Sequence, residues 1–438
     1  MIDYVVDMFE KYDYLRWAYS FQAFMKKSNL LMVIPNFGLG GAQRAFHDHS
    51  VELQKRYEVT EVVFNLDEPN IYPSNNPLES LEVPGGGSAF DKVLNFRKRI
   101  TRLRTLKRRL STDICISHLE GADYINLLSK GREKVVLLIQ GSKTHDHNIS
   151  GPSGWLRKRV LMPWLYQRAD RIVTVSRDII PEMINEFGVA PDKLVAINNS
   201  FEVEQVRAES LETLDAAMQA VYATAPVLVT SGRLAIQKNQ APLLTIFAEL
   251  IKQQNVKLVF IGDGDLRDSL TSQARALGLR VYEAWAEDVL SPNYDVYFMG
   301  LQKNPFKYIR PASLFVFPSS WEGFPLALGE AMTCGVAVVT TDCPTGPREM
   351  LAPASTTPTM PIRTAEVAEY GVLMPMLNNV NTLNSDQQVW VDTLARLLND
   401  EAGRKRLGHL AQQRSDDFSH TRTFQRWSQV IDEVLGNG

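Results

Sequence analysis

Short apolar runs, each stopped by polar or glycine-rich residues, recur along the chain. Residues 30–36 (LLMVIPN) form the first, followed by 59–64 (VTEVVF), 113–117 (DICIS), 135–140 (VVLLIQ), 171–175 (RIVTV) and 193–197 (KLVAI). Strands buried on both faces read as continuous apolar runs of this length. The segments between them carry apolar residues at helical spacing. Such alternation predicts a parallel sheet covered by helices on both faces. Residues 203–224 (VEQVRAESLETLDAAMQAVYAT) contain no strand-like run and are expected to connect two halves. A second alternating series follows at 226–230 (PVLVT), 257–261 (KLVFI), 295–299 (DVYFM), 313–317 (SLFVF) and 336–340 (VAVVT).

The expected fold class is therefore α/β, with two Rossmann-like doubly wound parallel-sheet domains in tandem. Residues 1–29 are expected to be an aromatic-rich helix, 30–205 the first domain and 206–225 the connection. Residues 226–415 would form the second domain and 416–438 a final helix, with Trp427 and Val430 at helical spacing. A length of 438 residues suits two domains of ordinary size.

Composition narrows the classes. Hydrophobic residues make up 45% and charged residues 22%, so a substantial core is available. The formal net charge of -3 speaks against a dedicated nucleic-acid binder, which needs a basic footprint, so nucleic acid is not an expected partner. Cys115, Cys334 and Cys343 are odd in number and form no CxxC pair, which fits a reducing cytosol rather than a disulfide framework. No apolar run reaches membrane-spanning length, and the acidic N-terminus lacks the pattern of a signal peptide. A cytoplasmic location is expected.

Residues 313–343 (SLFVFPSSWEGFPLALGEAMTCGVAVVTTDC) parse as strand, loop, helix, strand. Pro325 suits a first helical turn and Gly335 a helix end. The loop Ser319–Phe324 would carry Glu322 to the C-terminal edge of a parallel strand, where ligands bind in such sheets. Free N–H groups at the helix start can hold an anion. Glu330 lies two turns further on. Carboxylates do not hold phosphate, so these two acids are assigned to hydroxyl groups. Read alone, they are equally a surface acid and a helix-face acid.

After 226–230 comes SGRLAIQKN (231–239), which puts Arg233 and Lys238 at a strand end. Two cations there would neutralise a diphosphate, whereas ordinary surface charge is the plainer alternative. After 30–36 comes NFGLGGAQR, where Gly38, Gly40 and Gly41 would allow a tight turn and close backbone approach to a ligand. The spacing is not GxGxxG, and a helix is expected from about Ala42. His118 closes the run DICIS at a presumed ligand-facing edge, although a lone histidine is more often structural. His145 and His147 are weaker candidates, with no acid or cysteine cluster at metal-ligand spacing beside them. Gly262-Asp263-Gly264-Asp265 reads as a turn between strand and helix. Residues 97–109 (RKRITRLRTLKRR) carry eight basic residues and no acid. Their stripe Ile100, Leu103, Leu106, Leu110 either packs on the sheet or accompanies contact with an anionic membrane surface or a phosphate-bearing acceptor.

Taken together, these segments resemble glycosyltransferase family 4, whose members have the GT-B fold, two Rossmann-like domains facing a cleft. The resemblance rests on GGAQR (40–44), SGRLAIQKN (231–239), EGFPLALGEAM with Glu322 and Glu330, and DCPTGPREML (342–351). It covers about residues 30–435 and is strongest over 226–351. The stretch 300–325 is similar to the bacterial polysaccharide and lipid-linked oligosaccharide branch. The resemblance implies a retaining, metal-independent hexosyltransferase without cofactor, taking a nucleotide diphosphate sugar, by preference a uridine one, to a glycan or lipid-linked acceptor. It implies that Arg233 and Lys238 bind the donor diphosphate, Glu330 the ribose hydroxyls, and that Glu322 and His118 sit by the transferred sugar. Gly323, Phe324, Pro325 and Leu326 would help hold the donor through their backbone. Gly41 would approach the donor, and Gly40 and Arg44 would line the acceptor side. Gln140, also on that side, stands where many members carry a histidine. Residues 295–304 would lie beside the base, and the final helix would return to the first domain. Peripheral attachment to the inner face of the plasma membrane fits that branch. A sugar-nucleotide epimerase of the same fold and a non-catalytic scaffold are the alternatives.

Overall fold

The computed structural model describes residues 27–38, 40–66, 73–144, 149, 151–286, 289–355, 360–378 and 383–436. Residues 1–26 of the expected N-terminal helix, and His145 and His147, lie outside the described residues. The chain divides into two compact units, residues 1–136 and 137–438.

The apolar runs are strands, in the expected order. Those of the first series are β1 (Asn29–Val33), β2 (Glu58–Val63), β3 (Leu78–Ser80), β4 (Ile114–His118), β5 (Lys134–Ile139), β6 (Arg171–Thr174) and β7 (Leu194–Ala196). They form one sheet in the order β3-β2-β1-β4-β5-β6-β7, and the cut between the units falls within β5. The pairs β1–β2, β1–β4, β2–β3 and β6–β7 are parallel. The second series comprises β8 (Val227–Ser231), β9 (Lys257–Ile261), β10 (Val281–Glu283), β11 (Val296–Phe298), β12 (Leu314–Phe317), β13 (Val338–Thr341), β14 (Glu366–Ala368) and β15 (Gly371–Met374). Its order is β10-β11-β9-β8-β12-β13-β15-β14, parallel except for β14 against β15.

Both orders reverse direction beside their first strand. Chain progress runs outward from β1 through β2 to β3, then resumes on the other side at β4. It runs from β8 through β9 and resumes at β12. Crossovers leave from opposite faces at such a point, which opens a crevice beyond the strand ends. The residues after β1 and β4, and those after β8 and β12, therefore border the natural ligand positions of their sheets.

Several elements differ from the expectation. β3, β10, β14 and β15, of three or four residues each, correspond to none of the apolar runs. The segment 203–224 holds two helices, Val203–Ser210 and Ala216–Thr224, the second capped by the Asp215 side chain on the Met218 N–H. The final third carries helices Ser385–Asn399, Glu401–Ser415 and His420–Leu435.

The basic segment belongs to the helix Ala89–Arg109, which opens with a Ser88–Asp91 capping box. Leu103 and Leu106 are buried in the first unit's core, and Ile100 and Leu110 pack against it. Packing thus uses the stripe. Much of the charge is also engaged locally. Lys107, almost fully buried, pairs with Glu133 at 2.8 Å and donates to Asn126. Arg99 donates to Val83 and Pro84 carbonyls, Arg104 to that of Leu128, and Arg109 pairs with Glu79. Arg97, Lys98 and Arg108 remain exposed, as do Phe90, Val93 and Leu94 in the first turns.

Candidate active site

In the second unit, the loops after β8 and β12 are built into each other. Strand β8 ends at Ser231, and the chain turns at Gly232 with φ +146, a value that side chains beyond glycine rarely adopt. A 3-10 turn, Ile236–Lys238, then leads through Asn239 in the left-handed region, whose side chain is tied to the Leu377 carbonyl at 3.0 Å. The Gln237 side chain donates to the Trp321 carbonyl at 2.8 Å, and its own carbonyl accepts from the Ser320 N–H at 2.9 Å. These bonds bring Lys238 onto Glu322: Nζ lies 2.7 Å from Oε1 and 4.9 Å from the Phe317 ring. The lysine side chain is 19% exposed and the acid 7%, so this ion pair is largely withdrawn from water. The sequence reading treated the two as separate groups. They stand 84 residues apart, and no local signal announces the pairing.

Arg233 lies in the same loop but is exposed, and no acid pairs with it among the described residues. The Gly262–Asp265 turn has a definite task. Glycine Cβ atoms at 262 and 264 would lie 2.2 Å from the Gly232 carbonyl oxygen and 2.5 Å from that of Leu234. Only bare backbone lets the two strand-end loops stack, and the bonds Leu234 N–H to Asp263 and Leu266 N–H to Leu234 fasten them.

Beyond Glu322, the chain runs through Gly323 and buried Phe324 to Pro325, which caps the helix Leu326–Thr333. The first N–H groups of that helix have no partner within it and project at its start. Glu330 is buried on this helix. Gly335 ends it with φ +76. The 342–351 segment acts as a clamp. Arg348, 5% exposed, holds Asp342 at 2.7 Å and Glu366 at 2.8 Å. Glu349 accepts from the Ser176 hydroxyl, the Arg177 N–H and the Asn198 amide. The Thr345 hydroxyl donates to the Glu322 carbonyl, fixing the catalytic-loop candidate from beneath.

Gln140 meets this loop. A Cβ on Gly323 would stand 1.8 Å from the Gln140 carbonyl oxygen, and the two backbones are in contact. The Gln140 side chain accepts from Asn199 at 3.2 Å. Arg233, Lys238, Glu322, Gly323, Phe324, Pro325, Leu326, Glu330 and Gln140 thus all belong to one unit, and the first four share its two interlocked loops with the Gln140 backbone against them.

Gly40, Gly41, Arg44 and His118 lie in the first unit, after β1 and at the end of β4. The helix starts at Gly41, and Gly40 is extended with φ 177, so the backbone here does not demand glycine. What glycine leaves at position 41 is room, since nothing lies within 4 Å of a Cβ there. Arg44 stands on the same helix, 4.0 Å from Asp48.

His118 is fully buried, edge-on to Phe46 at 5.0 Å and to His49 at 5.3 Å between ring centroids. Neither ring nitrogen has a hydrogen-bond partner among the described residues. Burial, aided by His49, pushes its pKa well below the ordinary 6.5, so the ring is neutral. The linkage has a definite sign. Below about pH 6.5 the unfolded chain binds a proton that the folded imidazole refuses, so this contribution is intact above that value and fades as pH falls through it. The wild type is expected to lose more thermal stability than His118→Gln on acidification from about pH 7.5 to 5.5. Parallel melting curves that stay superimposable after offset would contradict this.

The description Glycosyltransferase Family 4 matches residues 39–205, and Glycosyl transferases group 1 matches residues 215–366. An uncharacterized glycosyltransferase of Methanocaldococcus jannaschii is 26% identical over 358 residues, 77% of this chain and 84% of its own. The N-acetylgalactosamine-N,N'-diacetylbacillosaminyl-diphospho-undecaprenol 4-alpha-N-acetylgalactosaminyltransferase of Campylobacter jejuni is 27% identical over 332 residues, 72% of this chain and 81% of its own. Among solved structures, Anabaena HepE in complex with UDP and glucose superposes with a TM-score of 0.68 at 16% identity, covering 93% of this chain and all of that one. That likeness concerns the fold; the two family matches meet across residues 206–214, inside the 203–224 helical segment. The chain belongs to the family 4-like glycosyltransferases of the GT-B fold.

Proposed function

We propose that the chain transfers a hexosyl or N-acetylhexosaminyl group from a UDP-sugar to a lipid-linked oligosaccharide or related glycan, with retention of anomeric configuration and without a metal. The observation that carries the reading is the withdrawn Lys238–Glu322 pair, set beside exposed Arg233 where β8 and β12 part. One ammonium hydrogen of Lys238 is committed to Glu322, which aims the remaining two. Arg233 and Lys238 would then take the charge that develops on the departing diphosphate, assisted by the N–H groups starting at Leu326. Glu322 has a second oxygen for a sugar hydroxyl, and Glu330 would read the ribose. Gly41 and His118 would be further donor-binding residues, and Gly40, Arg44 and Gln140 would serve the acceptor. The unmet nitrogens of His118 support a hydroxyl-binding task. Attack and departure on one face allow a leaving-phosphate oxygen to accept the acceptor's proton, so no side-chain base is needed. The Campylobacter jejuni relative, an N-acetylgalactosaminyltransferase acting on a diphospho-undecaprenol-linked sugar, supports a lipid diphosphate acceptor and an N-acetylhexosamine.

A panel of UDP-, GDP- and ADP-sugars followed by thermal shift tests the donor. Occupancy at about a hundredfold excess over Kd stabilises the native state by about 2.7 kcal/mol. UDP and UDP-sugars are expected to shift melting upward, and the matching donor to yield a new glycosidic product on a polyprenyl-diphosphate acceptor. Conversion of the free nucleotide sugar into its epimer without a glycoside would establish the competing enzyme reading, and an unshifted melt with every nucleotide would remove the proposal.

A further inference from the structure

A second feature of the larger unit is not explained by the donor site. One continuous helical stretch runs from Gly151–Leu156 through a π turn, Arg157–Leu161, into Met162–Tyr166. Its inner side is locked. Gly154 is buried so closely that a Cβ would meet the Ile149 backbone at 2.6 Å. Met162, Leu165 and Tyr166 are buried, and Tyr166 lies edge-on to Phe187 at 5.9 Å. Its outer side is apolar yet wet: Trp155 is 63% exposed, Leu156 54%, Val160 54% and Trp164 52%. A π turn brings residue i under i+5 instead of i+4, and such turns concentrate at functional positions. Here the Met162 N–H donates to the Arg157 carbonyl, five residues back, between Trp155 and Trp164.

Cations surround these side chains. Residues 151–168 hold Arg157, Lys158, Arg159 and Arg168 and no acid. The Arg168 guanidinium lies 4.1 Å from the Trp164 ring centroid. Arg159 meets Glu186 at 3.5 Å, a pair exposed on both sides, and Lys158 donates to the Thr144 carbonyl. Tryptophan prefers the interface between hydrocarbon and headgroups, and arginine extends its charge outward from an apolar stem. A convex helix face with two tryptophans, two aliphatic residues and a basic border complements an anionic bilayer. We propose that residues 155–168 dock the enzyme on an anionic membrane surface. This deepens the proposed function, since it rests on a lipid-linked acceptor held at that surface.

The proposal assigns the contact to this stretch; the helix Ala89–Arg109 packs its Ile100–Leu110 stripe on the core but also leaves Phe90, Val93, Leu94, Arg97 and Lys98 exposed, so the test compares the two. The full-length chain would be sedimented with phosphatidylcholine vesicles with and without phosphatidylglycerol. The wild type is expected to bind only the anionic vesicles, with indole emission shifting to shorter wavelength and binding weakening as salt rises. Trp155→Ser/Trp164→Ser is expected to bind about tenfold more weakly, with unchanged melting temperature and unchanged UDP-induced thermal shift. Arg97→Ser/Lys98→Ser is expected to bind like the wild type. Equal binding by the tryptophan variant, loss of binding in the Arg97/Lys98 variant alone, or a change of oligomeric state on removing the tryptophans would overturn the proposal. Because vesicle binding and the UDP shift are read separately, failure of docking leaves the donor reading standing, and the reverse.

Discussion

Lys238→Met is expected to lower kcat by about 10²–10³-fold, the scale on which one preorganised donor to a developing anion contributes. Methionine keeps the length and apolar stem of the side chain, so the loss is that of the ammonium group, which lies 4.9 Å from the Phe317 ring centroid. The same change strands the Glu322 carboxylate, 7% exposed, without its partner at 2.7 Å. Breaking a buried pair from one side costs about 3–5 kcal/mol, so melting temperature should fall as well. The two effects can be separated. Adding Glu322→Gln removes the stranded charge and should recover most of the stability while turnover stays low. Arg233→Ala, at an exposed position in the same loop, should lower turnover with almost no change in melting. Steady-state kinetics with the matched UDP-sugar, alongside melting curves, check the set. If the double variant regains activity together with stability, Lys238 is a structural residue and the mechanism loses its main cation.

Gly323→Ala is the second large effect, and its cause is steric. The added carbon would sit 1.8 Å from the Gln140 carbonyl oxygen and 2.7 Å from its carbon, both backbone atoms that cannot rotate away. The loop must back off, and Glu322 moves with it. A displacement of about 1 Å at reacting groups costs about 10²-fold in rate, and forced overpacking costs about 1–3 kcal/mol. Turnover should therefore collapse and melting temperature drop. Gly41→Ala supplies the contrast. Nothing lies within 4 Å of a Cβ there, so the fold should be indifferent. If Gly41 approaches the donor as proposed, KM for the UDP-sugar rises while melting stays constant. A Gly323→Ala enzyme with wild-type kinetics would show that the Gln140–Gly323 contact is not part of the working site.

The β8 and β12 loops also mark where sequence reading stops. The continuous apolar runs predicted the parallel strands, because a strand buried on both faces must be apolar throughout. The chemistry-bearing loops followed from their position directly after those strands. Gly335, with φ +76, was placed as a helix stop for the right reason. The glycines of the 262–265 turn were legible only as a turn. Their need for bare backbone arises from Gly232 and Leu234, about 30 residues away in sequence, and a local pattern carries no record of such a neighbour. The family marker 342–351 proved to contain a clamp, Arg348 on Asp342 and Glu366, which composition alone could not separate from ligand binding.

What the amino-acid order determined by itself was the alternation of strands and helices, the two series of them, and the placement of Glu322, Arg233 and Lys238 at strand ends. Local propensity and burial set these, and both are written in short windows. Tertiary structure alone decided that Lys238 grips Glu322, that Gly323 must lack a side chain, that His118 is buried with His49, and that the apolar face at Trp155 and Trp164 is left uncovered. Each depends on which distant backbone arrives alongside, and strand order, not sequence distance, controls that arrival.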